Sequence, residues 1–179
     1  MEKGLGTQNV IRMLAVARKA EEYSLEIFGW EDEKCKEMFA LAILAHVGFE
    51  YEYHHSDALA VSHRISASLT IDPEMQKVIE NFGQPFGDED ISDEMFVLNL
   101  AHITTNDDGF PCPVSEHRRN LKWMSECSDL YKEYKRVNDL IDDVEAHAER
   151  IGERLTKMQR NRLDMVMHYL DTERIIWNV

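Results

Sequence analysis

The chain has 179 residues, 44% of them hydrophobic and 30% charged, which is enough to bury a core in one domain and argues against disorder. Acidic residues outnumber basic ones 34 to 20, so the net charge of −14 repels phosphate backbones and anionic membranes, and neither nucleic acid nor membrane is expected as a partner. Cys35, Cys112 and Cys127 have no regular spacing, the start lacks the apolar core of a signal peptide, and no apolar run nears the roughly 20 residues of a spanning helix; a cytoplasmic, soluble protein is expected.

Residues 7–28 place Val10, Met13, Leu14, Ala17 and Leu25 near a helical period, with Gly29 as a stop, and predict a first helix. The next segment is apolar from Met38 to Val47 and reads as a buried helix ending near Gly48. Ser56 is a good N-cap, with Asp57 in the first turn, for a third helix through SDALAVSHRISASL. Asp72-Pro73 is a cap followed by a proline at the first helical position, opening PEMQKVIENF. After the loop GQPFGDED, Ser92 restarts a helix through DEMFVLNLAHI. TTNDDGFPCPV, 104–114, is the longest irregular piece, a length at which loops are often functional. From Ser115 the pattern is helical again, in stretches 115–127, 128–155 and 158–177. No run of alternating β-branched residues reads as a strand, and no repeat is present, so the expectation is a single all-α domain over 1–179. Its expected parts are an N-terminal helix in 1–32, a core over 33–150 and a C-terminal helix in 151–179.

Four of the eight histidines, His46, His54, His55 and His63, stand beside Glu50, Glu52 and Asp57. Imidazole with carboxylate suits zinc, manganese or iron, whereas the plainer reading is partly buried helix histidines (His46, His63) flanking a turn (His54, His55). Glu52 and His55 have the Glu-x-x-His spacing of di-iron bundles, but the second copy that such sites need is missing. No dinucleotide, P-loop, zincin or hydrolase-elbow motif occurs. Cys112, between two prolines with no cation beside it, reads as an inert loop thiol.

In order and spacing, several segments resemble the HD domain of RelA/SpoT-type enzymes and their small stand-alone relatives, the alarmone (guanosine polyphosphate) hydrolases. ALAILAH resembles the family's first His-bearing helix, and EYEYHHSDALAVSHRI its Tyr-x-x-His-Pro turn and following helix, with His54 or His55 at the metal-binding His. MQKVIENFG resembles the His-Asp-x-x-Glu-Asp helix, TTNDDGFPCPVSEHRRNL the Thr-Asp-Asp-Lys loop and basic helix, and KRVNDLIDDVEA the Lys-Leu-Ala-Asp segment, with Asp139 at the last metal ligand. The resemblance covers residues 37–150 and implies an HD-like helical bundle.

The departures are as informative as the matches. Gln76-Lys77 stands where the family has His-Asp, so two ligands of the metal that polarises the attacking water are replaced by an amide and a cation. Glu80 keeps the catalytic position, while Asn81, Gly109 and Asp143 replace the family's Asp, Lys and Asn. The resemblance therefore implies a catalytically degenerate protein that binds a nucleotide-like ligand or a protein partner near Gln76, Lys77, Glu80, Asn81 and Asp143, with His54, His55 and Asp139 as a residual metal set. Lys77 would contact phosphate as a point charge, pair with Glu80 or Asp139, or be a solvated helix residue. Two alternatives stand beside this reading. One is a manganese- or other divalent-metal-dependent nucleotide phosphohydrolase with a site rebuilt from His54, His55, Asp57, His102 and Asp139. The other is a helical protein-interaction module.

Overall fold

The computed structural model describes residues 6–50, 55–69, 71–87, 91–124 and 131–168. Its elements are α1 (Gly6–Glu26), α2 (Asp32–His46), a 3-10 turn (Val47–Glu50), α3 (His55–Ala67), α4 (Pro73–Glu80), α5 (Asp93–Ile103), α6 (Val114–Met124), α7 (Tyr131–Gly152) and α8 (Lys157–Met167). The fold is all-α, and the one β-type feature among the described residues is an isolated bridge between Thr105 and Pro111. No helix among the described residues is long and apolar enough to cross a membrane. The C-terminal helix expected over 158–177 is observed to Met167; residues 169–179 lie outside the described set.

Local chemistry explains three of the helix starts, those of α4, α5 and α8. Asp72 accepts a hydrogen bond from the Glu74 amide at 2.8 Å with Pro73 behind it, and Ser92 Oγ accepts from the Met95 amide. Thr156 and Gln159 form a reciprocal capping box at the start of α8. Gly29 takes a φ of 67° in the tight turn that folds α2 back onto α1.

At the centre runs α5, whose residues Met95 to Ile103 are all buried, mostly apolar but including Asn99 and His102, so the helix has no face to give to solvent. It packs against α1, α2 and α7. Val16, Ala17 and Ala20 of α1, Met38 and Leu41 of α2, and Leu140, Ile141 and Val144 of α7 close the core around it. Tyr23 donates from its buried hydroxyl to Thr104 Oγ1 at 3.0 Å, which in turn donates to the Leu100 carbonyl, and burial raises the Tyr23 pKa to about 12.

The loop between α5 and α6 is built from its own polar residues. Asn106 Oδ1 accepts from the amides of Asp108 and Phe110, and Gly109 turns the chain at a φ of 80°. Two contacts fix it to α1: Gln8 donates to Asp108, and Arg12 pairs with Asp107 at 2.9 Å. Cys112 is buried beneath it, and burial pushes its thiol pKa up to about 11, in keeping with an inert thiol.

His117, at the α6 end of this loop, has a pKa lowered from 6.5 to about 4, first by burial and then by the Arg12 charge, with Asp107 opposing. The folded imidazole therefore stays neutral while the unfolded one takes up a proton, so this contribution is intact above about pH 6.5 and is lost as pH falls towards 4. The penalty at the acid end is about 3 kcal/mol at most. We expect urea denaturation across pH 7 to 4 to show this loss, and His117→Gln to flatten that window of the stability profile; an unchanged profile would refute the assignment.

Candidate functional site

The four site residues expected on and just after α4 do not converge on one site. Lys77 Nζ pairs with Glu74 Oε1 at 3.1 Å, with both side chains about two-thirds or more exposed, rather than with Glu80 or Asp139. Glu80 Oε1 instead meets His63 Nε2 of α3 at 2.8 Å, the two side chains being 43% and 42% exposed. Asn81 caps the helix end and donates to the Lys77 carbonyl, and Gln76 is half-buried. His54 and the side chain of His55 lie outside the described residues, as does the side chain of Asp57.

On α7, Asp143 and Asp139 have different surroundings. One Asp143 oxygen accepts from the Phe86 and Gly87 amides at 2.7 and 2.8 Å, so its carboxylate acts as a clasp for the loop after α4. Arg136, two turns earlier, donates to the Gly83 carbonyl in the same loop. Gly83 also donates its amide to Asn99 of the buried helix α5 at 2.8 Å. Asp139 pairs with Lys135 at 2.5 Å, one turn away on the same helix. The structure thus joins Asp143 to the end of α4 through the 83–87 backbone, while the charged ends of Lys77, Glu80 and Asp139 are each engaged by another neighbour.

Two of the histidines weighed as ligands sit inside the core. His46 and His102 flank the fully buried Phe82 ring, at centroid distances of 4.5 and 4.7 Å, and their own rings are 5.5 Å apart. His46 is oriented by its Nδ1 against the Ala42 carbonyl at 3.0 Å. These contacts are those of aromatic packing. Among the described residues, no three His, Cys, Asp or Glu side chains converge in an arrangement that could hold a metal ion.

A cleft of about 450 Å³ that the sequence did not suggest opens between the start of α5 and the end of α7, lined by Ser92, Asp93, His147, Arg150, Ile151 and Arg154, with Ile91 at its edge. Arg150 donates to His147 Nδ1 at 3.4 Å, so that nitrogen is the acceptor of a neutral ring. Arg154, just past the end of α7, pairs with Asp93 in the first turn of α5. The α5 N-terminus adds the positive end of its dipole. Two guanidinium groups therefore line the cleft beside a helix start, that of Arg154 already paired with Asp93, which lines the cleft with them. The sequence signal was Arg150 and Arg154 spaced one helical turn apart.

Comparison with protein-family models, with curated proteins and with solved structures finds no match to this chain.

Proposed function

We propose that this chain is an HD-like helical protein of the cytoplasm that binds a phosphate-bearing, nucleotide-like ligand without hydrolysing it. The observation that carries the reading is the convergence of Arg150 and Arg154 with the α5 N-terminus on one cleft, in a chain of net charge −14. Guanidinium forks match phosphate oxygens two at a time, and a cleft of this size suits a nucleotide.

Thermal unfolding with guanosine diphosphate or inorganic pyrophosphate tests it. A ligand at 100 times its Kd adds about 2.7 kcal/mol to the folded state, which raises Tm by roughly 5 to 10 °C in a chain of this size. That rise is expected for the unaltered protein and not for Arg150→Ala/Arg154→Ala, which should fold because exposed ion pairs contribute little. No rise with millimolar ligand, or an equal rise in the double variant, would overturn the proposal. Turnover of the nucleotide on adding manganese would favour the phosphohydrolase alternative instead.

A further inference from the structure

We propose that Asp93 is a built-in competitor in the cleft between α5 and α7: its carboxylate holds Arg154 in the place of a ligand phosphate and so sets how tightly the cleft takes an anion. The inference rests on the phosphate-binding reading of that cleft and concerns its regulation. The two arginines that line it are held differently. Arg150 donates to the neutral His147 ring at 3.4 Å, and among the described residues no carboxylate pairs with it, so its charge stays uncompensated. Arg154 pairs with Asp93, whose own side chain lines the same cleft.

The pair resembles an occupied binding site more than a structural brace. One Asp93 oxygen takes one Nη of Arg154, whereas a phosphate takes two donors of such a fork. The side chains are 56% exposed at Arg154 and 26% at Asp93, so the contact opens without unburying either helix, and a pair this open contributes little to the fold. A carboxylate offers one charge and two oxygens. A terminal phosphate offers nearly two charges at neutral pH and three oxygens, and it can meet Arg150 at the same time because both guanidinium groups line the cleft. The phosphate is therefore the stronger partner, but Asp93 takes away part of its affinity twice over: the Arg154 pair must break, and the displaced carboxylate stays nearby as a like charge.

The start of α5 does not depend on the Asp93 charge. Ser92 is the N-cap, with its hydroxyl accepting from the Met95 amide and its carbonyl from the Phe96 amide. Glu94 keeps an acidic residue in the first turn and is engaged elsewhere, by Lys34 of α2 at 3.1 Å. On the other side of the cleft, the Arg154 amide donates to the Ile151 carbonyl at 3.0 Å, and Arg160 of α8 lies against Gly152, where an added Cβ would come within 3.1 Å of its guanidinium. Both walls are thus fixed by other contacts, and the Asp93 side chain makes its one polar contact among the described residues with Arg154.

Calorimetric titration of the full chain with inorganic pyrophosphate, at neutral pH and low salt, tests this. Asp93→Asn should bind about tenfold more tightly than the unaltered chain. In an Arg154→Ala background the same change should gain about threefold or less, because only the like-charge effect remains, and added salt should shrink both gains. Asp93→Ser repeats the titration with another residue that suits a helix start, and thermal unfolding without ligand checks that each variant is folded. Equal or weaker binding by Asp93→Asn would overturn the proposal, the weaker case meaning that Asp93 positions Arg154 for the ligand. A full tenfold gain without Arg154 would also overturn it, since Asp93 would then act on the cleft's field at large. Each of these results leaves the cleft a phosphate site; pyrophosphate binding absent from both the unaltered and the Asp93→Asn chain would sink that reading too.

Discussion

Gly48→Ala is expected to destabilise the fold by about 3 kcal/mol or more, at the upper end of what one added methyl group does in a packed interior. A Cβ at this position would lie 1.8 Å from the Ala58 carbonyl oxygen and 2.7 Å from Ser62 Oγ, and the first of these is backbone that no rotamer change can move. The close approach has its own chemistry. The Gly48 amide donates to Ser62 Oγ at 2.8 Å, and that hydroxyl donates to the Ala45 carbonyl at 2.9 Å, so one buried serine of α3 ties off the end of α2. Pushing α3 away breaks both bonds and disturbs the face that carries His63 to Glu80. In urea denaturation the variant should lose roughly 10 °C of Tm or its equivalent in midpoint. Gly87→Ala is the control: nothing lies within 4 Å of its added Cβ, and only its φ of +58° opposes the change, at a cost of about 1 kcal/mol. If the two variants are equally stable, the close approach of α3 to Gly48 is wrong.

Gly48 also marks where sequence reading stops being sufficient. Read locally, it looked like a helix stop, and α2 does give way there to a 3-10 turn; but its conformation is ordinary, and the constraint comes from Ala58, ten positions on. Features that depend on near neighbours were legible: the Asp72 and Ser92 caps, the turn at Gly29 and the all-α class each follow from residues within one or two turns. The Lys77 partner was of this kind too, since Glu74 lies three residues before it, yet the resemblance to a hydrolase drew attention to Glu80 and Asp139 instead. What joins distant positions was not legible. The His63 to Glu80 contact spans 17 positions, the Asp143 clasp on Phe86 and Gly87 spans 57 and 56, and the cleft unites Asp93 with Arg154, 61 positions apart. No periodicity records such pairs, because each half is an ordinary polar residue on its own helix.

Phe82→Ala is the second large effect, with an expected loss of about 4 kcal/mol. Phe82 is fully buried immediately after α4, where its ring packs against two buried imidazoles that also meet each other, His46 of α2 and His102 of α5. Removing it does more than open a cavity. Both imidazoles lose the aromatic face they pack against, and a buried polar ring beside an empty apolar space is worse placed than one in contact. The same residue begins the loop whose next positions are held from other helices, Gly83 by Asn99 and Arg136 and Phe86-Gly87 by Asp143, so its loss unseats the joint between α4 and α7. Phe82→Leu, which keeps most of the volume, should cost about 1.5 kcal/mol, and the difference between the two variants reads the packing of the ring. Phe86→Ala, at a ring that is 8% exposed and meets His147 edge-on at 6.2 Å, should fall between them. Chemical denaturation of the three variants decides: a Phe82→Ala loss no greater than that of Phe82→Leu would mean that the site refills, and that the cluster of His46, Phe82 and His102 rings is not what holds the end of α4 against α5.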